Sequence, residues 1–155
     1  MRHLTEVLRL EHRTVLDHLN RIEAALAEGS NETLRAELTF LESGLVPHRR
    51  KEEEFLFPEL DRRFGSECPP VRCMIEDHAE EKAHVRGLRE ALDASDRDGI
   101  RRSVLALLNH LRNHIWKEEN VLFPMAEEVL EGPAQERVLA GFREVGSCCG
   151  ECREP

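Results

Sequence analysis

The histidines of this chain keep a fixed interval. His12 and His78, His18 and His84, and His48 and His114 each stand 66 positions apart, and these six come from a total of eight. Their surroundings keep the same interval. PHRRKEEEFLFPEL (47–60) aligns with NHIWKEENVLFPMA (113–126), and Ala25, Leu26, Leu41 and Leu45 fall on Ala91, Leu92, Leu107 and Leu111. A chain repeated in this way builds one supersecondary unit twice and packs the copies together. At 155 residues the pair makes a single domain.

The repeated unit is a helical hairpin. Leu4, Leu8, His12, Val15, Leu19, Ile22 and Leu26 recur at three and four, which predicts an amphipathic helix over 3–28. Gly29-Ser30-Asn31 is a stop followed by an N-cap. A second stripe through Leu34, Leu38, Leu41, Leu45, His48, Glu52, Phe55 and Glu59 runs to Phe64, with a kink expected at Pro47, which lacks a donor. Gly65 to Pro70 links the halves. The second hairpin gives helices over 71–94 and 98–131, and Gly132-Pro133 separates them from a short helix carrying Val138, Leu139, Phe142 and Val145. Nothing reads as a strand. The expected fold is all-α: an up-down-up-down four-helix bundle over 1–145, from repeats 3–64 and 71–131, followed by a cysteine-containing tail over 146–155.

Six polar residues fall on the apolar stripes, where leucine would be expected: His12, His48, Glu52, His78, His114 and Glu118. Residues four apart on a helix differ by about 40° in direction, so His48 points with Glu52 and His114 with Glu118. The six converge in the bundle interior. Burying two carboxylates without partners costs several kcal/mol each, and divalent cations resolve that cost by supplying the missing charge. Four imidazoles and two carboxylates exceed what one octahedral ion can take while leaving room for a further ligand, so two ions bridged by both carboxylates are expected. Each half supplies the histidines of one ion, or the halves contribute across the axis. Mixed nitrogen and oxygen donors suit iron or manganese and, less distinctively, zinc.

Glu11-His12, the block H-x-x-x-E-E-x-x-L-F-P at 48–58 and again at 114–124, and Asp77-His78 resemble the hemerythrin-like, or HHE cation-binding, domain. The resemblance covers residues 3–131. It implies a four-helix bundle around two iron ions joined by an oxo or hydroxo bridge, with His12, His48, Glu52, His78, His114 and Glu118 as ligands and the two glutamates as bridges. Oxygen-carrying hemerythrins have a second histidine on the third helix and an aspartate on the fourth; this chain has Lys82 and Glu118 there. It is more similar to the di-iron proteins of iron–sulfur cluster repair and nitric oxide response, without the extra N-terminal domain those carry. The implied partner is a small diatomic ligand or a peroxide, with an electron donor if nitric oxide is reduced. Two classes stay open: an enzyme consuming peroxide or nitric oxide, and an oxygen, redox or iron sensor or iron-handling module without turnover.

The remaining residues carry weaker expectations. His18 and His84 lie about 120° from the inward line and read as rim residues. His110, one turn before His114, is the candidate extra ligand or proton donor. Glu81, opposite Val15 in the repeat, is expected in an internal salt bridge with Lys82 or an arginine. His3 and the run Lys51 to Glu54, Glu52 excepted, read as solvated, Trp116 as outward-facing, and Met74 and Met125 as core. Cys68 and Cys73 could form a reversible disulfide, and Cys148, Cys149 and Cys152 a redox pair or soft metal site. Five cysteines fit a reducing cytoplasm. A net charge of −9, one tryptophan and no tyrosine argue against a nucleic-acid partner. No apolar run approaches the roughly 18 residues of a membrane span. Oligomeric state is left open.

Overall fold

Leucine stripes alternating with four short breaks resolve into antiparallel rods. The computed structural model describes residues 3–146, so the readings for Cys148, Cys149 and Cys152 lie outside the described residues. Helix α1 is Leu4–Glu28. It ends at Gly29, whose φ of 71° turns its N–H back onto the carbonyls of Ala25 and Leu26. Ser30 then accepts from the Thr33 N–H at 3.3 Å and starts α2, spanning 31–64. Helix α3 is Pro69–Asp93; it begins two residues before the expected 71 because prolines suit a first turn, whose N–H groups have no intrahelical partner. Asp96 caps α4, spanning 97–129, by accepting from the Gly99 N–H at 3.0 Å, and α5 is Pro133–Val145. Among the described residues there is no strand. Connections of a few residues make sequential helices antiparallel neighbours, with α1 against α2 and α4, and α3 against α2 and α4.

The expected single kink at Pro47 is a larger departure. Helix α2 contains two wide π turns, Phe40–Gly44 and Glu52–Leu56, and α4 contains a third, Glu118–Leu122. Each closes with a bond to the carbonyl five residues back: Leu45 to Phe40, Phe57 to Glu52, Phe123 to Glu118. Pro47, Pro58 and Pro124 each sit in the first turn of the α-helical segment that follows. A proline ring in a straight helix collides with the carbonyl four residues earlier, and a wide turn moves that carbonyl aside. The added residue also shifts the buried face. Leu56 and Phe57, and likewise Leu122 and Phe123, are neighbours in sequence yet all buried, where a regular helix would splay them by about 100°.

Two apolar clusters fill the bundle. One holds Val15, Leu19, Ile22, Leu38, Leu41, Val85, Leu88, Leu107 and Leu111. The other holds Leu4, Leu8, Phe57, Leu60, Met74, Phe123 and, from α5, Val138 and Phe142. Arg137 of α5 bonds Glu59 of α2 at 2.7 Å and helps seat that helix. Between the clusters, at 12 on α1, 48–52 on α2, 78 on α3 and 114–118 on α4, runs a polar layer. No helix among the described residues is long and apolar enough to cross a membrane.

Candidate metal centre

All six stripe residues meet in that layer, each 5% exposed or less. Glu52 sends Oε1 to 3.1 Å from His48 Nε2 and Oε2 to 3.2 Å from His78 Nε2. Glu118 mirrors it, with Oε2 3.0 Å from His12 Nε2 and Oε1 3.2 Å from His114 Nε2. Two groups able to hold an ion result: His12, His48, Glu52 and Glu118, and Glu52, His78, His114 and Glu118. Each repeat therefore supplies one histidine pair, and each glutamate offers one oxygen to each pair.

These approaches lack the alignment of hydrogen bonds. All four glutamate oxygens, with Nε2 of His12 and His78, are buried without a hydrogen-bond partner. Donors on adjacent positions of an octahedral ion, with bonds of about 2.1 Å, lie about 3 Å apart. Orphaned buried polar atoms at that spacing fit a shared cation pair.

An outer ring orients the imidazoles through Nδ1. His48 bonds Glu11 at 2.8 Å, His114 bonds Asp77 at 3.1 Å, His78 bonds Glu53 at 2.7 Å and His12 bonds Glu119 at 2.8 Å. Lys51 bonds Glu11, and Lys117 bonds Asp77. Carboxylates accept, so each Nδ1 carries a proton and Nε2 is the ring atom turned inward to the glutamates. The reading of Lys51 to Glu54 as solvated is corrected here: Lys51 is buried against Glu11, and Glu53, though exposed, holds His78. Phe123 stacks on His12 at 5.4 Å between ring centres, and Phe57 lies 5.7 Å from His78.

Electrostatics follow from this packing. Burial pulls His78 and His114 down, but Glu52 and Glu53 around the first and Glu118 and Asp77 around the second more than reverse it, leaving them raised to about 9 and about 10. His12 and His48 are raised for the same reason. Burial and Glu118 push Glu52 up, and the imidazoles of His48 and His78 bring it below its ordinary value. Glu118 falls well below, mainly through His114 against its burial. Burial raises Asp77, yet His114 and Lys117 bring it to about 2. The layer is built to keep its carboxylates charged and to hold positive charge beside them.

The other singled-out residues fall outside this set. Glu81 forms the expected buried pair, with Arg49 at 2.6 Å. His18 lies at the rim, bonded to Glu37 and Arg21. Trp116 is 57% exposed. His3 is not solvated as expected: it caps α1 and places Nε2 3.2 Å from the Leu130 carbonyl oxygen. His110 donates from Nε2 to the Asp77 carbonyl at 2.9 Å, and its ring is parallel to that of His114 at 6.5 Å. Cys68 and Cys73 are free thiols. Sequence reasoning passed over the outer ring, although Glu11 and Asp77, Lys51 and Lys117, Glu53 and Glu119, and Phe57 and Phe123 all keep the 66-residue interval.

An all-helical bundle with a buried layer of histidine and glutamate around a place for cations defines a metal-binding helical domain. Residues 3–126 match the hemerythrin HHE cation-binding domain, and the chain belongs to that family. It is also 29% identical over 98 residues to the iron–sulfur cluster repair protein YtfE of Enterobacter sp. (strain 638), over 57% of this chain and 44% of that protein. The chain thus matches less than half the length of that relative. No solved structure matches it.

Proposed function

We propose that the chain is a non-haem di-iron protein that takes O2, NO or hydrogen peroxide, in a setting of oxidative or nitrosative stress. The supporting observation is the division of each glutamate, one oxygen to the His12–His48 pair and the other to the His78–His114 pair. In this reading His12 and His48 would hold one ion, His78 and His114 the other, and Glu52 and Glu118 would be shared between them. Charge agrees. Six inner and outer carboxylates against two lysine ammonium groups leave four negative charges, which two divalent cations match when the imidazoles are neutral. The name of the YtfE relative supports iron. Two irons supply open coordination positions and exchangeable electrons.

The protein's own part is to hold, exclude and handle protons. The outer carboxylates fix each imidazole, while Phe57, Phe123 and the flanking apolar clusters keep bulk water away. A cavity of about 10 Å³, the room of about one water-sized molecule, touches all four histidines and is lined by Val15, Ile115, Arg49 and Glu81. Glu81, held by Arg49 at 2.6 Å, lines it, and His110 does not.

Metal content of anaerobically purified chain, then absorption as O2, peroxide and NO are added in turn, tests this. Two irons per chain with a spectral response is expected, and gas evolution or spectral recovery would mark turnover rather than sensing. One metal per chain, or zinc alone with no response, overturns it.

A further inference from the structure

A second set of metal-ligating side chains converges outside the buried layer. Glu80 and His84 are one turn apart on α3, and His110 faces them from α4, with one donor atom of each within 4.8 Å of the others. The two rings are 5.0 Å apart between centres. His110 is already oriented. Its Nε2 faces the Asp77 carbonyl at 2.9 Å, and a carbonyl only accepts, so Nε2 carries the proton. In the neutral ring this leaves the Nδ1 lone pair facing Glu80 Oε2 at 3.5 Å. A cation at this place would be shared by that nitrogen and the carboxylate. A backbone carbonyl on the far nitrogen is also what orients a ligating histidine.

The matching place in the first repeat shows what the second has gained. Thr14, His18 and Gly44 stand at the repeat positions of Glu80, His84 and His110. There Phe40 covers His18, ring centres 3.5 Å apart and 11° from parallel. Gly44 leaves room for that phenyl ring: a Cβ would stand 2.5 Å from Phe40 Cδ2. In the second repeat Ala106 replaces Phe40 and His110 replaces Gly44. A hydrophobic ring has been exchanged for a second imidazole.

We propose that Glu80, His84 and His110 form a solvent-facing site for one divalent transition-metal ion, separate from the buried pair. Two imidazoles and a carboxylate suit zinc, iron, nickel or copper rather than calcium or magnesium. Three protein ligands leave positions for water, so the ion exchanges. The site also touches the buried centre through one residue: the Asp77 carbonyl holds His110 while its carboxylate holds His114.

Zinc titrated calorimetrically into the protein as purified tests the proposal, with metal content of the buried layer followed in parallel. One further equivalent is expected. His84→Ala and His110→Ala should lose it, and His18→Ala should keep it. Glu80→Gln, at an exposed position whose exchange leaves the bundle intact, should weaken it about tenfold or more. No further equivalent, or its persistence in His84→Ala, overturns the proposal. Copper(II) counts ligands independently: two-nitrogen hyperfine structure should become one-nitrogen in His84→Ala, and an unchanged pattern also overturns it. Both readouts compare His84→Ala with the unaltered chain, so neither depends on what fills the buried layer.

Discussion

The two repeats agree at the centre of the bundle and part company at its flanks. Inside, every ligand candidate and every outer-ring partner of one half has its counterpart 66 residues away, Glu11 against Asp77 being the one change of length. At one flank the buried ion pair Arg49–Glu81 occupies the repeat positions of apolar Ile115 and Val15. At the other, Phe40 and Gly44 face Ala106 and His110. A residue pointing into the layer serves both halves, because each of the two glutamates touches both histidine pairs, so a change there disturbs both. A residue on the flank touches neither glutamate: Arg49 pairs with Glu81 across the halves and Phe40 covers His18 within one, so either flank can change while the layer keeps its symmetry.

The largest expected effect breaks the centre. Glu52→Ala or Glu118→Ala should each remove both ions, whereas His48→Ala or His114→Ala should remove one. Elemental analysis of purified protein reads the difference. Full occupancy in both glutamate variants would sink the bridging assignment, and loss of one ion from each would mean that the two sites are independent.

That centre could be read from the sequence because two regularities coincide on it. A helical period of 3.6 places His12, His48, Glu52, His78, His114 and Glu118 on buried stripes, and the 66-residue interval separates the pattern from chance. The outer ring shares the interval but not the stripe. Lys51 and Glu53 flank Glu52 at about 100° to either side, where charged side chains ordinarily face water, and only the third dimension shows that α1 and α3 stand there to receive them. The π turns were hidden for a related reason. A constant period cannot show a turn that adds a residue, although Pro58 and Pro124 were visible, each six positions after a glutamate of the layer.

The next effect concerns the asymmetric flank. Glu81→Val alone leaves the Arg49 guanidinium buried without its partner, which should cost about 3–5 kcal/mol. Adding Arg49→Ile copies the Val15–Ile115 flank and should return stability to within about 1 kcal/mol of the starting protein, or above it. Urea midpoints at constant slope measure both. A double variant as unstable as the single one would show that the two flanks are not interchangeable.

A smaller contrast separates the paired lysines. Lys51 is 3% exposed and Lys117 26%. Lys51→Met strands Glu11 in the interior and should cost about 3 kcal/mol, while Lys117→Met breaks a pair that water already screens and should cost about 1 kcal/mol or less. Equal losses would mean that the outer ring acts through histidine orientation alone and that burial of the lysine contributes nothing.

The smallest effect tests whether Gly44 is retained for Phe40. Replacing a helical glycine by alanine removes backbone freedom from the unfolded chain and is worth about 0.5–1 kcal/mol where the methyl group meets nothing. Gly87, opposite Arg21 in the repeat, has nothing within 4 Å of its Cβ position, so Gly87→Ala should stabilise by that amount. Gly44→Ala carries the same gain but drives its methyl into the ring that covers His18, and overpacking of this kind costs about 1–3 kcal/mol. The two substitutions should therefore move the urea midpoint in opposite directions. Adding Phe40→Ala to Gly44→Ala removes the collision and should recover the backbone gain, less the contacts of the lost ring. If Gly44→Ala stabilises on its own, the phenyl ring yields freely, and the first repeat has kept its glycine for some reason other than this contact.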